Sequence, residues 1–367
     1  MPDKKFDTNS EKPEQSESTA LKRGWTTGAC ATGATKAALT ALLTGVFPDP
    51  VAVRLPKGQE PDFALATESL TDTPTGTWAE ASIIKDAGDD PDVTHGARIV
   101  SRVSFGVAGS GVVWRAGEGV GTVTRVGLPI PVGEASITPV PRAMMLEVVQ
   151  DLCAQHGKAA DVVIELSIPN GEALAKETLN GRLGVLGGLS ILGTTGIVIP
   201  YSCSSWIHSI HRGIDVSIAA GIKHTLASTG NTSETAANQM LNLPDTALLD
   251  MGDFAGGLLK YMAKHPVERL TIAGGIGKLS KLAQGHLDLH SKRSQVDPVW
   301  LKQLFPFIDP DKELNSAAEL LLMDERDQIV QAIANLARDF AQKTVSDQTS
   351  VDVMVFDRKG KFLGKSV

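Results

Sequence analysis

Strands collected in the first half of the chain, strand and helix alternating in the second, and glycine-rich loops after the later strands together predict an α/β protein of two domains. The first, at 21–160, is expected to be an α+β domain. The second, at 161–367, is expected to be a Rossmann-like α/β domain with a mainly parallel sheet, a C-terminal helix and a C-terminal strand. A length of 367 residues fits two domains of roughly 100–200 residues each.

Residues 1–20 are polar and charged with almost nothing to bury, which predicts a disordered tail and a fold that begins near Leu21. From Thr27 to Thr44 a threonine cap, apolar Ala31, Ala34, Ala38 and Leu42 at helical spacing, and Gly45 as a stop predict a helix with a narrow, small-residue face. Alternating or β-branched runs at 51–56, 77–85, 97–105 and 121–128, punctuated by Gly, Pro and Asp, predict strands. A helix after Pro141 closes the first domain. Beyond residue 160, strands are expected in "DVVIELSI", "IKHTLAST", "TALLDMG" and "RLTIAGG", with helices at 202–220, 234–242 and 253–264. Residues 314–345 read as one long helix and 351–357 as a last strand of unassigned sheet.

Composition narrows the function classes. An apolar fraction of 42% and 36 glycines describe a soluble globular protein, and the chain has neither a membrane-length apolar run nor a basic-then-apolar leader, so a cytoplasmic location is expected. Cys30, Cys153 and Cys203 are far apart and odd in number, which suits a reducing compartment. A net charge of −7 argues against nucleic acid or an anionic membrane as partner. A homo-oligomer is left open.

Three glycine-bearing loops qualify by position: 228–234 and 274–281, which follow strands, and 181–196. Helix N-termini in such positions offer free N–H groups to anions and ribose hydroxyls, so Thr229, Gly230, Asn231, Gly275 and Gly277 are candidates for holding an adenosine-type cofactor. Asn231 and Glu234 are spaced as a capping box. Gly275-x-Gly277-x-x-Ser280 is only a partial dinucleotide signature, and Lys278 lacks the spacing of a phosphate-binding loop.

The stretch "KDAGDDPDVTHG" at 85–96 carries Asp86, Asp89, Asp90 and Asp92. Their spacing matches no calcium loop and His95 brings no second zinc ligand, so no protein-bound metal is expected. Two readings stand: a turn whose carboxylates accept backbone N–H groups, or a set of acid/base groups, Asp86, Asp90 and His95, presented at the end of a sheet beside Lys85. His208 and His211 share a helix face without a third ligand, and 23–39 offers an anion site between Arg23 and Lys36.

Taken in order, "RGWTTGACATGATKAAL", "KDAGDDPDVTHG", "GVGTVTRVGLPIPVGEASITPVPR", "ILGTTGIVIPYS" and "GIGKLSKLAQGHLDLHS" resemble the cobalt-precorrin-5B carbon-1 methyltransferases of cobalamin biosynthesis. The resemblance runs from about residue 21 to 297 and is vaguer beyond 300. It implies a two-domain α/β enzyme that moves a methyl group from S-adenosylmethionine to carbon 1 of a contracted, cobalt-bearing tetrapyrrole. Such a transfer needs alignment more than a covalent nucleophile, and none is evident. The ring carboxylates call for cations, for which Arg23, Lys36, Lys85, Arg125 and Arg142 are the candidates inside the matched motifs. Two other functions compete. A Mg²⁺-dependent phosphotransferase or hydrolase would use the aspartates as ligands, and a non-catalytic tetrapyrrole carrier would not need S-adenosylmethionine.

Overall fold

The computed structural model describes residues 21–74, 76–314 and 316–367, so the expected tail at 1–20 lies outside the described residues. Helix α1 (Thr27–Thr44) begins where the Thr26 hydroxyl accepts the Ala29 amide at 3.2 Å. It ends at Gly45, whose φ of 82° suits a residue without a Cβ. The narrow apolar face expected of this helix is instead burial on nearly every side, with Ala29, Ala31, Ala34, Ala37, Ala38 and Ala41 fully enclosed. Small side chains permit this closeness: a Cβ on Gly33 would stand 2.7 Å from Ile83 Cδ1.

α1 lies on a five-stranded sheet of β1 (Thr67–Thr73), β2 (Gly76–Ile84), β3 (Arg98–Phe105), β4 (Val112–Ala116) and β5 (Val162–Ser167). Its spatial order is β1-β2-β3-β5-β4. Neighbours are antiparallel except β4 and β5, which run parallel. Helix α2 (Pro139–Gln155) packs beside α1 and completes one large apolar cluster. Sequence reading grouped the run at 161–168 with the later parallel strands. It joins β3 and β4 instead, because Val162, Ile164 and Leu166 alternate onto this cluster's buried face.

The expected strands at 51–56 and 121–128 shrink to Val51–Ala52, paired with Asp62–Phe63, and Thr122–Val123, paired with Val185–Leu186. Gly127 at φ 101° and the prolines at 129 and 131 end extension there. Strands β1 and β4 were not legible in the sequence.

The second sheet follows α3 (Cys203–Ala219). It comprises β6 (His224–Ser228), then α4 (Asn231–Leu241), β7 (Leu248–Asp250), α5 (Ala255–Met262), β8 (Arg269–Gly275), α6 (Ile276–Ala283), α7 (Arg326–Thr344), β9 (Ser350–Phe356) and β10 (Phe362–Lys365). Its order is β7-β6-β8-β9-β10, parallel through the first four and antiparallel at β10. The last predicted strand thus pairs with β8. The helix expected over 314–345 is two pieces, a 3₁₀ turn at Ala317–Leu322 and α7, separated by residues 323–325. A second large apolar cluster forms around α5, α6 and α7. The chain is therefore a mixed α/β protein with several sheets. No described helix is long and apolar enough to cross a membrane.

Candidate functional site

Strand order decides where a parallel sheet can hold a ligand. The chain leaves β6 for β7 on one side, and β8 then lies on the other side of β6, so the connections diverge beyond the carboxyl ends of β6 and β8. A crevice at such a divergence is the usual ligand position in open α/β sheets. Two of the three glycine loops flank it. Thr229 N donates to Ala273 O at 2.9 Å, and Lys278 Nζ bridges them by donating to Thr229 O at 2.7 Å. A Cβ built on Gly230 or Gly277 would meet nothing within 4 Å, and one on Gly275 only Phe356 O at 3.9 Å. These glycines are thus not demanded by packing within the chain, whereas Gly274, whose Cβ would stand 2.7 Å from Thr229 Oγ1, is.

The third loop, 181–196, does not join them. Val185 and Leu186 pair with 122–123 in a small sheet of their own, Leu189 and Ile191 join the first apolar cluster, and Leu192 O accepts the Gly28 amide, so this segment packs mostly with that cluster. One residue of it reaches across. Arg182 forms a two-pronged pair with Glu234 at 2.6 and 3.0 Å, and Glu234 also accepts the Ser228 hydroxyl at 3.2 Å. The capping box expected from Asn231 and Glu234 is therefore absent: the N-cap of α4 is Gly230 with no side-chain cap bond, because the Glu234 carboxylate is committed to Arg182. Hydrogen bonding to Glu234 holds the Arg182 pKa above its ordinary value.

Asp250 ends β7 at the same edge, and burial, reinforced by the Glu234 charge, pushes its pKa up. The Trp206 indole donates to Asp250 O at 3.0 Å, which sets the first turn of α3 against this edge.

The acidic stretch is a tightly tied loop. Asp86 accepts the Gly88 amide at 2.8 Å and pairs with Lys22 at 2.6 Å; the Lys22 hydrogen bond keeps its pKa below the usual carboxylate value. Asp89 accepts the Lys22 amide, and Asp92 accepts both Thr94 donors and the buried Lys85 ammonium. Asp90 reaches furthest, accepting the Tyr201 amide at 2.8 Å two residues before α3. Of the candidate acid/base groups, Asp86 and His95 come together at 4.0 Å, while Asp90 is turned to Tyr201. His95 Nδ1 accepts the Ala87 amide at 3.1 Å, which leaves Nε2 as the protonated nitrogen of the neutral ring. Because Trp206 and Tyr201 are only five residues apart, the acidic loop and the glycine crevice stand at the same end of the second sheet.

The candidate cations divide. Arg23 is exposed beside the acidic loop and forms no side-chain bond among the described residues, and Arg125 uses one donor on Arg182 O. Lys36 is tied to Ala52 O, Lys85 is 1% exposed against Asp92, and Arg142 spends its guanidinium on Ile137 O, Glu134 and Ala135 O. Arg142 nevertheless borders a cavity of about 530 Å³ walled by Trp114, Ile130, Pro139 and Leu146. His211 serves packing, its ring stacked on Tyr261 at 3.9 Å, while His208 lies exposed on the same helix. Among the described residues no group of three or more His, Cys, Asp or Glu is arranged to hold a metal ion. Sequence reading missed Arg182, Asp250 and Trp206. Only Asp250 left a signal, twenty residues after Gly230.

Comparison with known proteins agrees with the family named from the motifs. The family model described as CbiD matches residues 14–200. A protein of Brucella anthropi named cobalt-precorrin-5B C(1)-methyltransferase is 57% identical over 95% of this chain and 96% of its own. One of Brucella canis with the same name is 56% identical over 96% and 97%. A solved structure, the cobalamin biosynthesis protein cbiD of Archaeoglobus fulgidus, is 26% identical with a TM-score of 0.40, covering 74% of this chain and 83% of that one. With a family match over half its length and relatives above half identity along nearly all of it, the chain belongs to the CbiD family.

Proposed function

We propose that this chain methylates carbon 1 of cobalt-precorrin-5B with S-adenosylmethionine as cosubstrate, as the name of its relatives implies. The observation that carries the reading is the pair of open glycine loops at the divergence of β6 and β8, beside the acidic loop that meets α3. When bound, the cosubstrate supplies an electrophilic methyl group on a sulfonium. Gly230 and Asn231 at the start of α4, with Gly275 and Gly277 at α6, bind and orient it through backbone N–H groups, while Thr229, whose amide donates to Ala273 O, fixes the loop that presents them. Arg23 and Arg125 meet ring carboxylates. Asp86 accepts a proton from the substrate, and His95 offers Nε2–H as a hydrogen-bond donor because the Ala87 amide occupies its Nδ1 lone pair.

The chain works as two units on this reading. The first is the mixed sheet with its helices, extended past 160 to include β5. The second is the Rossmann-like unit built on the parallel strands. It acts as a cytoplasmic enzyme on a small-molecule tetrapyrrole, with no protein-bound metal and without nucleic acid or membrane as partner; self-association is compatible with it. Calorimetric titration with S-adenosylmethionine, S-adenosylhomocysteine and ATP tests it. The two adenosyl compounds should bind and ATP should not; binding of ATP alone would restore the phosphotransferase reading. Asp86→Asn keeps the turn while removing the charge, so single turnovers should slow about a hundredfold with both ligands still bound. If the carboxylate serves only the turn, the melting temperature should fall and turnover per folded molecule should hold.

A further inference from the structure

Three carboxylates gather at the carboxyl edge of the second sheet, and two have cations. Glu234 is matched by Arg182 at 2.6 Å and Asp253 by Lys278 at 3.0 Å. Asp250 forms no direct ion pair among the described residues, although the charges of Arg182 and Lys278 and the Gly252 amide favour its charged form. A half-buried carboxylate with no cation in direct contact is costly to fold around, and burial and the Glu234 charge outweigh those cations to raise its pKa. Its place is specific: it closes β7, next to β6, twenty residues after Gly230. A carboxylate at about that distance beyond the glycine turn, on the strand beside it, is where an open α/β sheet accepts ribose hydroxyls. Beside it stands Trp206, 44% exposed and fixed by its indole bond to the Asp250 carbonyl.

We infer that Asp250 accepts the ribose hydroxyls of the adenosyl cosubstrate and so selects a ribonucleoside at this edge. This rests on the proposed placement of the cosubstrate at the glycine loops. A carboxylate is an acceptor only, and a vicinal diol presents two donors, so the match needs no other group to supply hydrogen.

The test is calorimetric binding of S-adenosylhomocysteine and of its 2′-deoxy and 3′-deoxy analogues to the wild-type chain and to D250N, D250A and G230V. Wild type should bind at least one deoxy analogue about ten- to a hundredfold more weakly than the parent. In D250N and D250A the parent should weaken by a similar factor, and its advantage over that analogue should shrink to within about threefold. D250N, nearly isosteric, keeps the comparison alive if D250A does not fold, and thermal melts identify such a case. Equal affinity of wild type for all three compounds, or unchanged discrimination in the Asp250 variants, overturns the inference while loss of binding in G230V leaves the crevice reading standing. Full binding by G230V, or none by wild type, removes the crevice reading and the inference with it.

Discussion

Gly230→Val is expected to remove measurable S-adenosylhomocysteine binding while leaving the thermal melt close to that of the wild type. The backbone there is extended, at φ 165°, which a β-branched residue adopts, and a Cβ would touch nothing within 4 Å. Unfolding stability should therefore fall by only about 1 kcal/mol, the cost of a branched apolar residue at the N-cap that Gly230 occupies. The same Cβ occupies the volume through which a ligand must come to reach the amides at the start of α4. Gly277→Ala offers a complementary sign. It lies inside α6 with open space around it, so alanine should add up to about 0.5–1 kcal/mol of helix stability and yet weaken the ligand. Wild-type affinity in folded Gly230→Val would place the cosubstrate elsewhere.

Asp92→Ala is expected to destabilise the fold by about 3–5 kcal/mol, the cost of leaving a buried charge without its partner. Lys85 is 1% exposed and its ammonium lies 2.6 Å from Asp92. The carboxylate also holds Thr94 through two bonds, so the closing turn of the loop loses its anchor as well. Burial alone would raise the Asp92 pKa, but the Lys85 ammonium and the Thr94 donors outweigh it and leave the pKa below its ordinary value of 3.8. A carboxylate lowered on folding stabilises fully above its unfolded pKa, and that contribution is lost as pH falls through the folded one. The wild type should accordingly lose stability on the acid side of pH 3.8, and Asp92→Ala should show a flatter acid limb. Urea titrations from pH 3 to 7 measure both; parallel curves for the two proteins would deny the pair its role. Lys85→Met, which removes the buried charge itself, should cost less than Asp92→Ala.

What the sequence made legible follows from how each signal is encoded. The helices at 27–44 and 203–219 and the strands β6, β8 and β9 carry local periodicity and caps, and they stand within one or two residues of expectation. Both glycine loops flanking the crevice were readable as turns because a glycine turn between strand and helix is a local pattern. Partnership across the chain was not. Glu234 had the spacing of a capping residue, and only the fold brings Arg182, 52 positions away, to claim it. Likewise the contacts that Asp86 and Asp90 make with Lys22 and Tyr201 lie outside the acidic motif and could not be read from it. Lys85 was read as a cation at a strand end and a partner for ring carboxylates, and its burial is a property of the packing around it.

Strand β1 was missed for a reason that bears on how the protein survives at high concentration. Its residues, "TESLTDT", are polar on both faces, and among the described residues it forms one edge of the first sheet, with β2 as its neighbour there. Such an edge is a template on which a second chain can add a strand. An arriving strand would have to desolvate Glu68 and the hydroxyls around it in return for Leu70 as the only large apolar side chain. The want of apolar alternation that hides β1 from a periodicity search is thus what guards the sheet against edge-to-edge aggregation.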